Sequence, residues 1–158
     1  MLEIMAQINI SSPSLVCVCV DSIENGNITG RFYHKFKKEA EEFRSVSMLL
    51  EKMENLFDWI DFPQSSTRKR TFHSKNEKNR KKKEAVQVAD TKEMIGHSGD
   101  KGTFIVQVKY RQNSTWQGEV TWTERRQKQY FRSALELLKL IDSALDMNEE
   151  ETPLNIEE

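Results

Sequence analysis

The chain has 158 residues, the usual size of a single domain and long enough to bury a real core. Apolar residues make up 37% and charged residues 31%, so part of the chain is expected to lie outside that core. A formal net charge of −1 argues neither for nor against nucleic acid, while the absence of a signal-like opening and of any long apolar run argues against secretion and membrane insertion.

The first pattern is an alternation. Leu2, Ile4, Ala6, Ile8 and Ile10 alternate with Glu3, Met5, Gln7 and Asn9, which predicts an N-terminal strand. A second alternation sets Val16, Val18 and Val20 against Cys17, Cys19 and Asp21, and a third sets Ile28, Gly30, Phe32 and His34 against Thr29, Arg31, Tyr33 and Lys35. Both read as half-buried antiparallel strands. Between them, Asn25-Gly26 suits a two-residue type I′ hairpin, but that register puts Val20 opposite Arg31 and mixes the two faces. A three-residue loop, Asn25-Gly26-Asn27, puts Val20 opposite Phe32 and keeps each face pure, and is the expected connection. Phe43 then belongs to a short third strand, and Ser45 caps a helix with an apolar stripe of Val46, Leu49, Leu50, Met53, Leu56, Phe57 and Ile60.

Cys17 and Cys19 share a strand face roughly 7 Å apart, too far for an easy disulfide. A reducing, cytoplasmic compartment fits them, and no second Cys/His pair follows at zinc spacing.

Residues 61–101 change in composition. Pro63-Gln64-Ser65-Ser66 is a breaker stretch, and nine Lys or Arg against the single Glu77 fill Arg68–Lys83. Val86 and Val88 flank Gln87 in a short strand-like pattern. The basic run is a candidate phosphate-backbone contact, with Arg68, Lys69, Arg70, Arg80, Lys81, Lys82 and Lys83 as its carriers and Phe72 and His73 placed to stack on bases. The alternative is a solvated linker, held by the acidic tail at 147–158.

Beyond the linker the earlier pattern returns. Laid over Thr103–Asp146 at a constant offset of 88, Leu15–Asp58 needs no gap, and ten positions are identical: Val18/Val106, Val20/Val108, Asn25/Asn113, Gly30/Gly118, Phe43/Phe131, Arg44/Arg132, Ser45/Ser133, Leu49/Leu137, Leu50/Leu138 and Asp58/Asp146. About two or three matches follow from composition alone. Ser133 with Glu136 forms a capping box, and Ala134, Leu137, Leu138, Ile141, Ala144 and Leu145 form the helix stripe. Leu135 and Leu140 fall off that stripe and are candidate partner contacts. Trp116 and Trp122 lie on the inward strand face and read as core, and His34 as a core or edge histidine. Trp59 either covers the core edge or faces a partner. Each Arg and Asp kept in both copies is too far from its own helix mate to pair, so Arg44 is expected to meet Asp146, and Arg132 to meet Asp58, across a pseudo-twofold.

The expected fold is α+β in one domain at 1–158. It is a tandem duplication of a β-β-(β)-α unit at 15–60 and 103–146, forming an antiparallel sheet with two helices packed on one face. In outline this is similar to the repeats of PUR and Whirly-type single-strand nucleic-acid binders, which usually have four strands per unit where two or three are placed here. The run Thr115–Trp122 with Phe131–Leu138 resembles short bacterial proteins from anaerobic Gram-positive gut species, a resemblance that implies a cytoplasmic bacterial origin and brings no activity.

No phosphate loop, dinucleotide fingerprint, nucleophile elbow or zincin pattern is present, so no catalytic, metal or cofactor residue is assigned. The expected function is non-enzymatic binding of another protein, as an adaptor or regulator. Single-stranded nucleic acid bound by the basic linker is the alternative, and a ligand pocket between the two copies is a third.

Overall fold

The structure is a computed structural model that describes residues 8–67, 70–72 and 85–151. It is α+β. Strands β1 (Leu15–Glu24), β2 (Asn27–His34) and β3 (Lys37–Phe43) lead into helix α1 (Val46–Ile60). After a short helix α2 (Thr91–Ile95) come β4 (Gly102–Tyr110), β5 (Gln117–Trp122), a 3-10 turn at Thr123–Arg125, β6 (Gln127–Phe131) and α3 (Ala134–Glu151). The six strands form one antiparallel sheet in the order β3-β2-β1-β4-β5-β6.

The first hairpin corrects the expected loop. Glu24 faces Asn27 across a two-residue turn in which Asn25 and Gly26 both have positive φ, 52° and 76°, as type I′ requires. The faces nevertheless stay pure, because Asp21 is an extra residue between the Val20–Gly30 and Ser22–Thr29 pairs. This β-bulge shifts the register by one and returns Val18 to a position opposite Phe32. The β4–β5 hairpin does the same. Lys109 is extra between Val108–Gly118 and Tyr110–Gln117, and Asn113 and Ser114 carry the positive φ values.

Gly30 and Gly118 hold equivalent places beside those bulges. A Cβ on Gly30 would sit 2.0 Å from the Cys19 carbonyl oxygen, and one on Gly118 would sit 1.9 Å from that of Gln107. Only glycine admits so close a backbone approach.

The even-numbered side chains of the central strands, among them Val16, Val18, Val106 and Val108, join the main core. That cluster also takes in Leu49, Met53, Leu56 and Phe57 from α1 and Leu137, Ile141, Ala144 and Leu145 from α3. Trp116, Val120 and Trp122 are buried within it, as expected.

The other face departs from the half-buried pattern. Leu15, Cys17, Cys19 and Ile105 are buried too, in a second cluster with Ile8 and with Met94 and Ile95 of α2. The central strands therefore have both faces covered, which is why β1 carries a continuous apolar run from Leu15 to Val20. Within the expected linker, residues 91–95 are thus helical, whereas Val86 and Val88 are exposed and outside any strand. The Val88 and Ala89 amides instead donate to the Lys35 carbonyl. The N-terminal alternation lies mostly outside the described residues.

Ser45 caps α1 by accepting from the Met48 amide at 3.1 Å, and Ser133 accepts from the Glu136 amide at 3.0 Å. The returning half of the second box is displaced by one residue, for Glu136 accepts from the Arg132 amide. The last helix also continues past Asp146, so residues 147–151 of the expected tail are helical.

The predicted Arg132–Asp58 pair does not form. Arg132, just before α3, bonds Glu136 in its first turn at 2.8 Å, while Asp58 takes Arg111 at 2.6 Å. Arg44 is exposed and makes no ion pair with Asp146. A buried guanidinium needs a carboxylate more than an exposed one does, and Arg111 is only 3% exposed. Besides Asp58, it bonds Glu54 at 2.8 Å and the Pro63 carbonyl. Glu54 also accepts from the Trp116 indole N–H, so α1 is tied to the β4–β5 connection by one polar knot.

Candidate functional site

The two outermost strands of the sheet differ. Strand β3 reads Lys-Lys-Glu-Ala-Glu-Glu-Phe, and its pairing with β2 is irregular between Phe32–Glu41 and His34–Lys37. Charge and irregularity are the usual protections of an edge strand. Strand β6 reads Gln-Lys-Gln-Tyr-Phe and pairs with β5 without a break from Gly118–Phe131 to Trp122–Gln127. Gln127, Gln129 and Tyr130 are exposed, and among the described residues no strand pairs with its outer side.

The side chains beside that edge are held in place. Glu119 of β5, only 8% exposed, accepts from Lys109 at 2.6 Å and lies 3.4 Å from Lys128 on β6. Burial pushes the Glu119 carboxyl up, but the Lys109 bond and the two ammonium charges outweigh it and the net direction is down. Lys109 is raised in turn, chiefly by its bond to Glu119. Both lysines also lie about 6 Å from the Tyr130 ring centroid, so the exposed ring stands on a fixed charged base.

Immediately beyond β6, Leu135 is 61% exposed at the start of α3. Leu140 is instead partly buried against the main core, so the structure separates the two candidate partner leucines. Of the basic-run candidates, Arg70 is exposed, as is Phe72. Arg68, Lys69, Arg80, Lys81, Lys82 and Lys83, together with His73, lie outside the described residues. His97 stacks on Tyr33 with centroids 3.7 Å apart.

A cleft of about 370 Å³ opens at the opposite end of the sheet, between the β2–β3 turn and α1. Its walls include His34, Phe36, Lys37, Glu41, Lys52 and Trp59. His34 is buried, and its Nδ1 accepts from the Phe36 amide at 3.1 Å. Burial lowers its pKa to about 4, with Glu41 opposing and Lys37 reinforcing the shift, so the ring is neutral at pH 7. Both this cleft and a smaller one around Tyr33, Ala89 and His97 lie to the β2–β3 side of the sheet, away from the β1–β4 junction.

Cys17 and Cys19 are free and buried, with Sγ atoms 3.9 Å apart. The shared hydrogen bond and burial push the Cys17 thiol up, whereas Cys19 is lowered by that bond and by Arg31. Among the described residues no group of His, Cys, Asp and Glu is placed to hold a metal, and no helix is long and apolar enough to cross a membrane.

The edge site escaped sequence reasoning because strand order decides which strands are outermost. Its one visible signal was the low charge of Gln127–Phe131 beside the charged Lys37–Phe43. No family model, curated protein or solved structure matches the chain.

Proposed function

We propose that the protein is a tandem duplication of a β-β-β-α unit, with both long helices on one sheet face, and that it acts as a non-enzymatic adaptor or regulator. It takes an extended segment of a partner protein onto the outer edge of β6. The duplication is supported by the repeated bulges at Asp21 and Lys109, the repeated glycine contacts and the repeated element order. The shared helix face is supported by the single core cluster that α1 and α3 enter together.

The observation that carries the binding reading is the outer edge of β6, with which no strand pairs among the described residues. Strand β6 offers five residues of regular, nearly uncharged backbone, beside exposed Tyr130 and Leu135. An added strand gains affinity from main-chain hydrogen bonds and specificity from alternate side chains. Tyrosine is also a frequent anchor at interfaces. Two buried, unpaired thiols fit a reducing cytoplasmic setting.

The test compares the wild-type chain with a Gln129→Lys, Tyr130→Glu double variant, in affinity capture from the source cell after nuclease treatment. A partner protein retained by the wild type and lost by the folded variant is the expected result. Equal retention by both proteins overturns the edge as the site. Capture that disappears on nuclease treatment favours nucleic acid bound by the basic run.

A further inference from the structure

The cleft beside α1 exists because the two halves differ there. His34 pairs with Val16 and Trp122 pairs with Phe104, and both relations are carried into each other by the same 88-residue offset. Trp122 is buried in the main core, and Leu140 packs against that core. Their counterparts in the first half are His34 and Lys52, both of which line the cleft. An indole and a leucine have been exchanged for an imidazole and a lysine whose ammonium donates to the Glu42 carbonyl at 2.6 Å. The connections differ as well. Lys35 and Phe36 form the tight β2–β3 turn, whereas β5 and β6 are joined through the 3-10 turn.

We propose that this cleft binds a small, flat aromatic carboxylate, a function separate from the β6 edge and independent of it. Phe36 and Trp59 meet edge to face at 5.9 Å, and Trp59 is 39% exposed, so the wall presents aromatic surface without a protein ring stacked over it. A flat ring placed there regains part of the apolar contact that Trp122 makes in the second half.

Two polar features select the ligand further. Because His34 Nδ1 accepts from the Phe36 amide, the proton of the neutral ring sits on Nε2, which bonds no described residue and is left to donate to a ligand acceptor. Lys37 and Lys52 lie 2.8 and 3.7 Å from Glu41. Two ammonium groups sharing one carboxylate leave a single positive charge, which suits a carboxylate better than a phosphate dianion.

The test is a titration of the full chain with indole-3-acetate, followed by backbone and indole N–H chemical shifts, beside the neutral indole-3-acetamide and the ringless butyrate. Saturable shifts at Phe36 and the Trp59 indole are expected, with both analogues weaker by roughly tenfold or more. His34→Trp, which refills the cleft as Trp122 does, should weaken indole-3-acetate binding by about the same factor. So should Trp59→Ala, which removes an exposed wall and leaves the core intact. The proposal is overturned if no saturable shift appears at millimolar probe, if the three probes bind alike, or if both folded variants bind as the wild type does.

Discussion

Cys17 lies opposite Ile105 in the central strand pair, and the two are 88 residues apart (105 minus 17), the offset at which the halves of the chain align. The flanking pairs obey the same relation. Val16 faces Val106 and Val18 faces Phe104, so each pair becomes the other when both members are moved by that offset. The proposed duplication accounts for this reciprocity through a pseudo-twofold axis between Cys17 and Ile105, as in a dimer interface made within one chain.

The reciprocity predicts matched costs. Gly30→Ala and Gly118→Ala each drive a methyl group into a carbonyl oxygen at about 2 Å. Each should destabilise by about 2 kcal/mol or more, and by similar amounts, in urea denaturation. A neutral effect at either glycine would contradict the equivalence of the two hairpins.

Arg111 ties the first helix to the second hairpin. Arg111→Met should cost about 2 kcal/mol, a figure reduced from that of a fully buried pair because Asp58 is partly exposed. A Glu54→Gln, Arg111→Met double variant should cost less than the sum of its single changes, read by a double-mutant cycle in urea. Additive losses would show that the two groups act independently.

His34 sets a pH dependence. Its folded pKa, about 4, lies below the ordinary histidine value, so the unfolded chain binds the extra proton first. Stability is therefore fully present above about pH 6.5 and falls as pH drops from there towards 4, by at most about 3 kcal/mol. His34→Phe should flatten that limb of the stability curve. An unchanged slope would mean that other groups cause it.

The thiols should be silent in the native state. Cys17 and Cys19 are fully buried, so a thiol reagent should label them at the rate of unfolding, with both reacting at once in denaturant. Rapid native labelling of Cys19, the thiol lowered beside Arg31, would contradict the packing of the second cluster.

Much of the architecture is local and was legible. Period-2 alternation marked the strands, Ser45 and Ser133 marked the helix starts, and the two apolar stripes marked most of the faces that α1 and α3 bury, although Leu140, read as off the stripe, packs against the core in a cluster that lacks Leu138. The hairpin was misread because face purity can be kept by a longer loop or by a bulge, and neither Asp21 nor Lys109 signals a bulge by its chemistry. Arg111 was missed because its counterpart is Ile23, so no repeated charge drew attention to it. The cleft becomes visible only once the register equates His34 with Trp122.

Amide hydrogen exchange on the isolated protein and on its complex with the captured partner tests the binding account most directly. Slowed exchange confined to Gln127–Phe131 and the first turn of α3 is the predicted result. Unchanged exchange along β6, with protection elsewhere on the chain, would contradict it.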